Sequence, residues 1–242
     1  MIRVLLAQVR ANDDPMLLHE RACIVRRLGE RPFDLTAFNA VEESARPEML
    51  DGVGLFLIGG SGDFSVHDPR SGPWVDGVRS LIERALIEEI PGLGLCFGHQ
   101  LLGYHMGASV VTDPACSEFG TVSVRMTNLG RKNPLFASMP DEFEVQSGHS
   151  DRIQRLPEGL ELLVTNDRCE IQFTRATGTM FYSAQFHPDL TGREAQDRAR
   201  AYGAGMAEHL DQPVEDYAAC FRPGTDASVS LIGRLADLAQ QR

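Results

Sequence analysis

In the first half of the chain, short apolar runs alternate with stretches whose apolar positions recur at helical spacing. Arg3–Val9 and Phe33–Phe38 read as strands, and Val53–Ile58, which has no polar alternation, as a strand buried on both faces. Pro15–Leu28 reads as a helix between the first two strands. Pro73–Ile90 sets Trp74, Val78, Leu81, Ile82, Ala85 and Leu86 on one helical stripe, opened by a proline in the first turn. Leu93–Cys96 is a short strand and Gly98–Met106 a helix. Strands and helices in this alternation predict βαβ units and a parallel sheet. From about Thr121 the pattern changes to strands without intervening helices, at Thr121–Met126, Glu142–Gln146, Leu160–Thr165, Glu170–Thr174 and Thr179–Phe186. These are expected to extend the sheet as mixed or antiparallel additions. Helices return at Arg193–Leu210 and Ser228–Gln241, separated by a loop with Pro213, Pro223 and Gly224. The charges of Arg193–His209 alternate as on a solvated helix.

Composition narrows the class of function. The chain has 242 residues, enough for one large α/β domain or one domain with a helical appendage. Its net charge of −11 gives no overall basic footprint for nucleic acid or an anionic membrane. No run approaches the ~18 apolar residues of a membrane span. The opening MIRVLLAQVRANDD has too short an apolar stretch and no small-residue cleavage site for a signal peptide. The five cysteines (Cys23, Cys96, Cys116, Cys169 and Cys220) are scattered and free of CxxC spacing. Reduced thiols in the cytoplasm are therefore expected, not a disulfide framework or a zinc site.

One cysteine has an unusual setting. Gly94-Leu95-Cys96-Phe97-Gly98 places it between glycines two residues to either side, where an apolar run meets a helical pattern. This is the G-x-nucleophile-x-G spacing of a strand-to-helix turn, in which side chains at the flanking positions would strike the neighbouring helix and strand. A thiolate there lies at a helix N-terminus, where free amides and the helix dipole lower its pKa. The Phe97 N–H would point where an acyl oxyanion forms. The same spacing also describes a small buried cysteine in a glycine-rich core turn, and the turn alone does not choose between them.

The wider context does. GLGLCFGHQLLGYHMG (residues 92–107), Leu57-Ile58-Gly59-Gly60 and Gln185-Phe186-His187-Pro188-Asp189 resemble the C-x-G-x-Q-L, S/N-G-G and Q-F-H-P-E signatures of class I glutamine amidotransferases, in the same order and at similar separations. Ser147-Gly148-His149-Ser150-Asp151 and Glu118-Phe119-Gly120 are similar to the SH-x-D and E-[FY]-G segments of the GMP-synthase-like glutaminase group. The likeness covers about residues 2 to 189. It implies a flavodoxin-like three-layer α/β fold with a mostly parallel central sheet, antiparallel additions and C-terminal helices. Residues 1–189 would form the amidotransferase domain and 190–242 a helical extension packed on it.

His187 is the base that cysteine chemistry demands, since the fold can bring a distant histidine to the nucleophile. It follows a strand-like run and would sit at that strand's C-terminal end, where doubly wound folds build their sites. His99, His105 and His149 are competing bases, though His99 would point away around its helix. By the resemblance, Asp189 stands where the family has the glutamate that orients the histidine, one methylene shorter, about 1.5 Å of reach. The GGSGDF loop (residues 59–64) departs from G-x-G-x-x-G and lacks the Gly-Lys-Ser/Thr of a phosphate loop. In the family its second glycine, here Gly60, gives the second oxyanion donor beside Phe97. Ser61 replaces the usual proline. Gln100 would face the pocket and bind glutamine. Gly148, His149, Ser150 and Asp151 would recognise the substrate's α-amino and α-carboxylate groups, largely through backbone.

The resulting expectation is a glutaminase. Cys96 attacks the glutamine side-chain amide to form a γ-glutamyl thioester, without metal or cofactor, and the ammonia passes to a separate synthetase subunit. A free-standing γ-glutamyl peptidase or hydrolase is the runner-up, and a non-catalytic amidotransferase-like binding module the third reading.

Overall fold

The structure is a computed structural model. It describes residues 1–210, 213–224 and 226–242, and of residues 70 and 204–210 only the backbone course. The first elements are β1 (Ile2–Val9), α1 (Met16–Leu28), β2 (Phe33–Asn39), β3 (Leu55–Ser61), α2 (Gly72–Ile87), β4 (Gly92–Leu95) and α3 (Phe97–His105). After them come β5 (Val110–Thr112), β6 (Glu118–Met126), α4 (Asn128–Lys132), β7 (Glu142–His149), β8 (Asp151–Ile153), β9 (Leu160–Thr165), β10 (Phe173–Ala176) and β11 (Phe181–Ala184). α5 (Gly192–Leu210), α6 (Val214–Ala219) and α7 (Leu231–Gln240) complete the order.

The main sheet runs β2-β1-β3-β4-β11-β10-β9-β6-β7. Its first five strands pair in parallel, as βαβ alternation requires, and the remaining pairings are antiparallel. Strand side chains point alternately to opposite faces, and here both faces are covered. Leu6, Leu57 and Leu95 meet Ile24 and Leu28 of α1 and Leu231 and Leu235 of α7 in one core. Leu5, Phe56 and Ile58 meet Val78 and Ile82 of α2 and Phe97 and Leu101 of α3 in the other. This is the three-layer architecture the resemblance implies.

The differences are local. The strand expected from Glu170 starts only at Phe173, because the preceding residues wrap around Asn166, whose Oδ1 accepts the backbone N–H groups of Arg168 and Cys169. β11 stops at Ala184, and the next residues bond elsewhere: Gln185 N–H donates to Gln172 O, just before β10, at 2.8 Å and His187 N–H to Gln146 O of β7 at 2.8 Å. β5 and β8, which pair as a separate two-stranded sheet, and the short helices α4 and α6 are too brief to show a period in sequence. α5 departs from a solvated helix at Arg198, which is 8 % exposed; the side chains of 204–210, His209 among them, lie outside the described residues. Among the described residues no helix is long and apolar enough to cross a membrane.

Candidate active site

Cys96 joins β4 to α3 with φ 48° and ψ −94°, a conformation that L-residues rarely adopt and that costs on the order of 1–3 kcal/mol. The surroundings hold it there. Its N–H donates to Ala184 O of β11 at 2.7 Å, and its C=O accepts the first helical bond, from Gln100 N at 3.1 Å. A Cβ at Gly94 would collide with the Gly98 carbonyl, and one at Gly98 would stand 2.8 Å from Ile58 O and 2.9 Å from Ile58 Cβ. Both flanking glycines are therefore steric requirements of the turn.

The thiol is 6 % exposed. Burial pushes it up to about 12, although the Arg198 charge and the Phe97 N–H each act to lower it. The lowered value expected from the helix N-terminus alone is thus reversed by desolvation. Gln185 Nε2 lies 3.7 Å from the sulfur and Gly148 O lies 3.9 Å from it. A Cβ built on Gly60 would be 3.1 Å from His187 Cε1, 3.9 Å from its Nε2 and 3.7 Å from Cys96 Cβ. The imidazole edge, the cysteine and the Gly60 backbone thus converge on one point.

The shorter carboxylate reaches its histidine. Asp189 Oδ1 is 3.1 Å from His187 Nδ1, and Asp189 Oδ2 accepts from Arg198 Nη2 at 3.1 Å. Burial would raise the Asp189 carboxyl, but the charges of His187 and Arg198 outweigh it and hold the group well below the usual carboxylate range. Arg198 Nη1 also stands 3.3 Å from His187 Nδ1. One nitrogen cannot both donate to the carboxylate and accept from the guanidinium. The charge-assisted bond to Asp189 is the stronger, so the proton is assigned to Nδ1 and the Nε2 lone pair is left free. Nothing in the local pattern of α5 announced Arg198, because an arginine among alternating charges reads the same whether solvated or buried.

The Gly59–Gly60 backbone carries a second unannounced partner. Glu20 of α1, fully buried, accepts the Gly60 N–H on Oε1 at 3.2 Å. Its carboxylate is held by Arg10 Nη2 at 2.9 Å and Gln8 Nε2 at 3.0 Å, and Arg10 also bonds the Tyr202 hydroxyl of α5. In this conformation the Gly60 N–H serves Glu20, and an oxyanion does not receive it.

The expected substrate-binding residues divide by direction. Gly148 and Ser150 line a cavity of about 460 Å³ that also reaches His187 and the Ser61–Asp63 loop. His149 points the opposite way along the strand, 3.2 Å from Glu118 through Nε2 and 3.1 Å from Asp151 O through Nδ1. The Asp151 carboxylate accepts from Thr112 Oγ1 at 2.5 Å and from Ser65 Oγ. Gln100 is 4 % exposed and spends its Nε2 on Asp151 O at 2.8 Å. Gln100, expected to face the pocket and bind glutamine, instead spends its side chain on the cavity wall. The His149 and Asp151 side chains brace the same wall, which leaves only backbone at those two positions for the substrate recognition expected of 148–151. Of the competing bases, His99 is fully buried on Ser183 and pushed down by burial to about 3, and His149 is committed to Glu118.

Among the described residues, Glu118, His149 and Cys169 bring their ligand atoms within 4.8 Å of one another. Glu118 already accepts from Asn166 at 2.6 Å and from Gln172 at 2.7 Å as well as facing His149, which makes the trio a satisfied polar cluster of the core.

Comparison with known proteins places this geometry. A profile of the family described as glutamine amidotransferase class-I matches residues 21–200. A glutamine-hydrolyzing GMP synthase subunit of Methanocaldococcus jannaschii is 32 % identical over 123 residues, 51 % of this chain and 63 % of that protein. The GMP synthase of Thermosipho africanus is 30 % identical over 177 residues, 72 % of this chain but only 31 % of that enzyme's length. The chain thus spans less than two thirds of the length of either relative. The crystal structure of a glutamine amidotransferase from Thermotoga maritima superposes with a TM-score of 0.79, covering 100 % of this chain and 99 % of that one at 22 % identity, a likeness of fold.

Proposed function

The chain belongs to the class I glutamine amidotransferases, and from that premise we propose that it hydrolyses the side-chain amide of glutamine through Cys96 and passes the ammonia to a separate synthetase subunit. The observation that carries the reading is the convergence of the strained Cys96 turn and the His187 ring on the Gly60 backbone. Because the buried thiol is neutral at pH 7, its proton moves to His187 Nε2 as sulfur attacks the γ-carbon. The oxyanion meets the Phe97 N–H and, once that peptide turns from Glu20, the Gly60 N–H. His187 then protonates the departing ammonia, and water drawn to the freed base resolves the thioester to glutamate. Asp189 keeps the ring in the working tautomer. Arg198 holds Asp189, so the 190–242 extension contributes directly to a site otherwise built by residues 1–189. Two features of the relatives support a separate acceptor: one is named as a subunit, and the longer one extends well beyond the aligned segment.

A glutamine-shaped diazoketone tests this reading. It should modify Cys96 alone, as mapped by peptide mass, because binding delivers the electrophile to a thiol that bulk reagent hardly reaches. Iodoacetamide should instead react first at exposed Cys220, since Cys23, Cys96 and Cys169 are buried and pushed up to about 12. Diazoketone on any of the other four cysteines in preference to Cys96 would overturn the assignment.

Asp189→Asn should slow hydrolysis by roughly 10–10³-fold, below the ~10⁴ known for a serine protease because a thiol ionises more readily than a hydroxyl. With the carboxylate gone, Arg198 Nη1 becomes the natural partner of His187 Nδ1, which moves the proton to Nε2, the wrong nitrogen. Asp189→Glu has no gap to close, since the aspartate already bonds at 3.1 Å, and overpacking should hold it at or below the parent rate. Steady-state kinetics of the two variants check both statements; an Asn variant as fast as the parent would reduce the site to a dyad.

A further inference from the structure

Ammonia needs no pocket to leave by, yet the cavity over His187 is far larger than a departing ammonia occupies. Its volume of about 460 Å³ lies in the range that holds whole drug-sized ligands. One side is polar, where Gly148 and Ser150 of the β7 end meet the Ser61–Asp63 loop. The other side is mainly apolar, with Phe119, Leu190, Ala195, Ala199, Tyr217 and Phe221, although Arg198 and Tyr202 of α5 and Arg10 also reach the cavity. Three of these form a chain of edge-to-face rings, with Phe119–Tyr217 centroids at 6.2 Å and Tyr217–Phe221 at 5.6 Å. Leu190 follows His187 by three residues, and Ala195 and Ala199 share α5 with Arg198, which touches both His187 and Asp189. The apolar side therefore adjoins the ring that must hand a proton to the leaving nitrogen. The family match ends at residue 200, so Tyr217 and Phe221 lie beyond the matched segment.

We propose that the same site accepts γ-glutamyl amides whose amine carries an aromatic or bulky apolar group, and that the α5–α6 wall is the pocket for that amine. This rests on the reading of Cys96 and His187 as a γ-glutamyl transfer pair. The Cys96 sulfur forms a bond to the γ-carbon, and the C–N bond breaks. The amine departs with the proton that His187 took from the thiol. Water then cleaves the thioester, restoring the thiol and releasing glutamate. No other co-reactant enters. Small alanines at 195 and 199 leave the space, and the rings supply edges and faces for an aromatic group.

The test compares γ-glutamyl benzylamide with γ-glutamyl methylamide, two alkylamides that differ by the ring, with glutamine as the reference substrate. The benzylamide kcat/KM should exceed that of the methylamide by roughly 10–200-fold, the range that burying a small apolar group in a pocket provides. In Tyr217→Ala the ratio should fall toward one; Phe221→Leu, which keeps an apolar side chain but removes a ring, gives the same reading if the first variant folds poorly. Equal or inverted rates for the two amides in the parent protein would overturn the proposal. So would hydrolysis of glutamine with neither amide cleaved, which leaves the glutaminase reading standing. Failure with glutamine and both amides alike would remove the two together.

Discussion

Cys96→Ala should hydrolyse glutamine at no more than about 10⁻⁴ of the parent rate while remaining folded. Removing a covalent nucleophile elsewhere costs as much as ~10⁶-fold, and what survives comes from binding and oxyanion donors alone. Here the residual should be small, because one of those donors, the Gly60 N–H, is engaged by Glu20. The structural cost is modest. The thiol has only long contacts, 3.7 Å to Gln185 and 3.9 Å to Gly148, so its loss should change stability by about 1 kcal/mol. Glutamate release together with thermal unfolding separates the two effects. A folded Cys96→Ala protein within tenfold of the parent would place the nucleophile elsewhere.

His187→Ala should lower turnover by roughly 10²–10⁴-fold, the usual range for a general base, since the thiol proton then has no acceptor and the amide nitrogen no donor. The buried thiol makes this dependence stronger than for an exposed cysteine. With its proton held up to about 12, little thiolate exists at neutral pH without the imidazole. The fold should survive. Asp189 keeps Arg198 at 3.1 Å, so no buried carboxylate is stranded when the ring is removed. Added imidazole should restore part of the activity through the vacated space. Near-normal turnover in the folded variant would identify a different base, and His99 and His149 are already committed to Ser183 and Glu118.

The parallel half of the sheet was legible because its strands and helices carry two different periods, and the cysteine turn because steric demands put glycines at fixed spacing. Cys96 and His187 follow from those local signals and from motif likeness. What was not legible depends on direction and burial. Along 148–151 the motif likeness pointed to a substrate wall read largely through backbone, but not to the alternation that turns Gly148 and Ser150 toward the cavity and the His149 and Asp151 side chains away from it. Glu20 and Arg198 sit on helices whose polar residues look alike in sequence. Only packing of α1 and α5 against the strand ends makes one the partner of Gly60 and the other the partner of Asp189. The thiol was misjudged for a similar reason. The helix dipole is local, whereas desolvation comes from parts of the chain far from Cys96, including Gly148 and Gln185.

The position of β11 in the sheet has a consequence for how the protein is made. It is the last strand among the described residues, yet it lies in the interior of the sheet, between β4 and β10. While a ribosome is still delivering the preceding segments, β4 has one open edge, and β1–β4 have no strand to join them to the antiparallel strands. An open strand edge of that kind invites pairing with other chains. Arrival of β11 closes the edge and in the same event supplies the Ala184 carbonyl that braces the Cys96 turn, with His187 three residues later. The nascent chain therefore carries Cys96 without brace or partner histidine until β11 and His187 have emerged. The vulnerable interval is the one in which β4 waits for its neighbour.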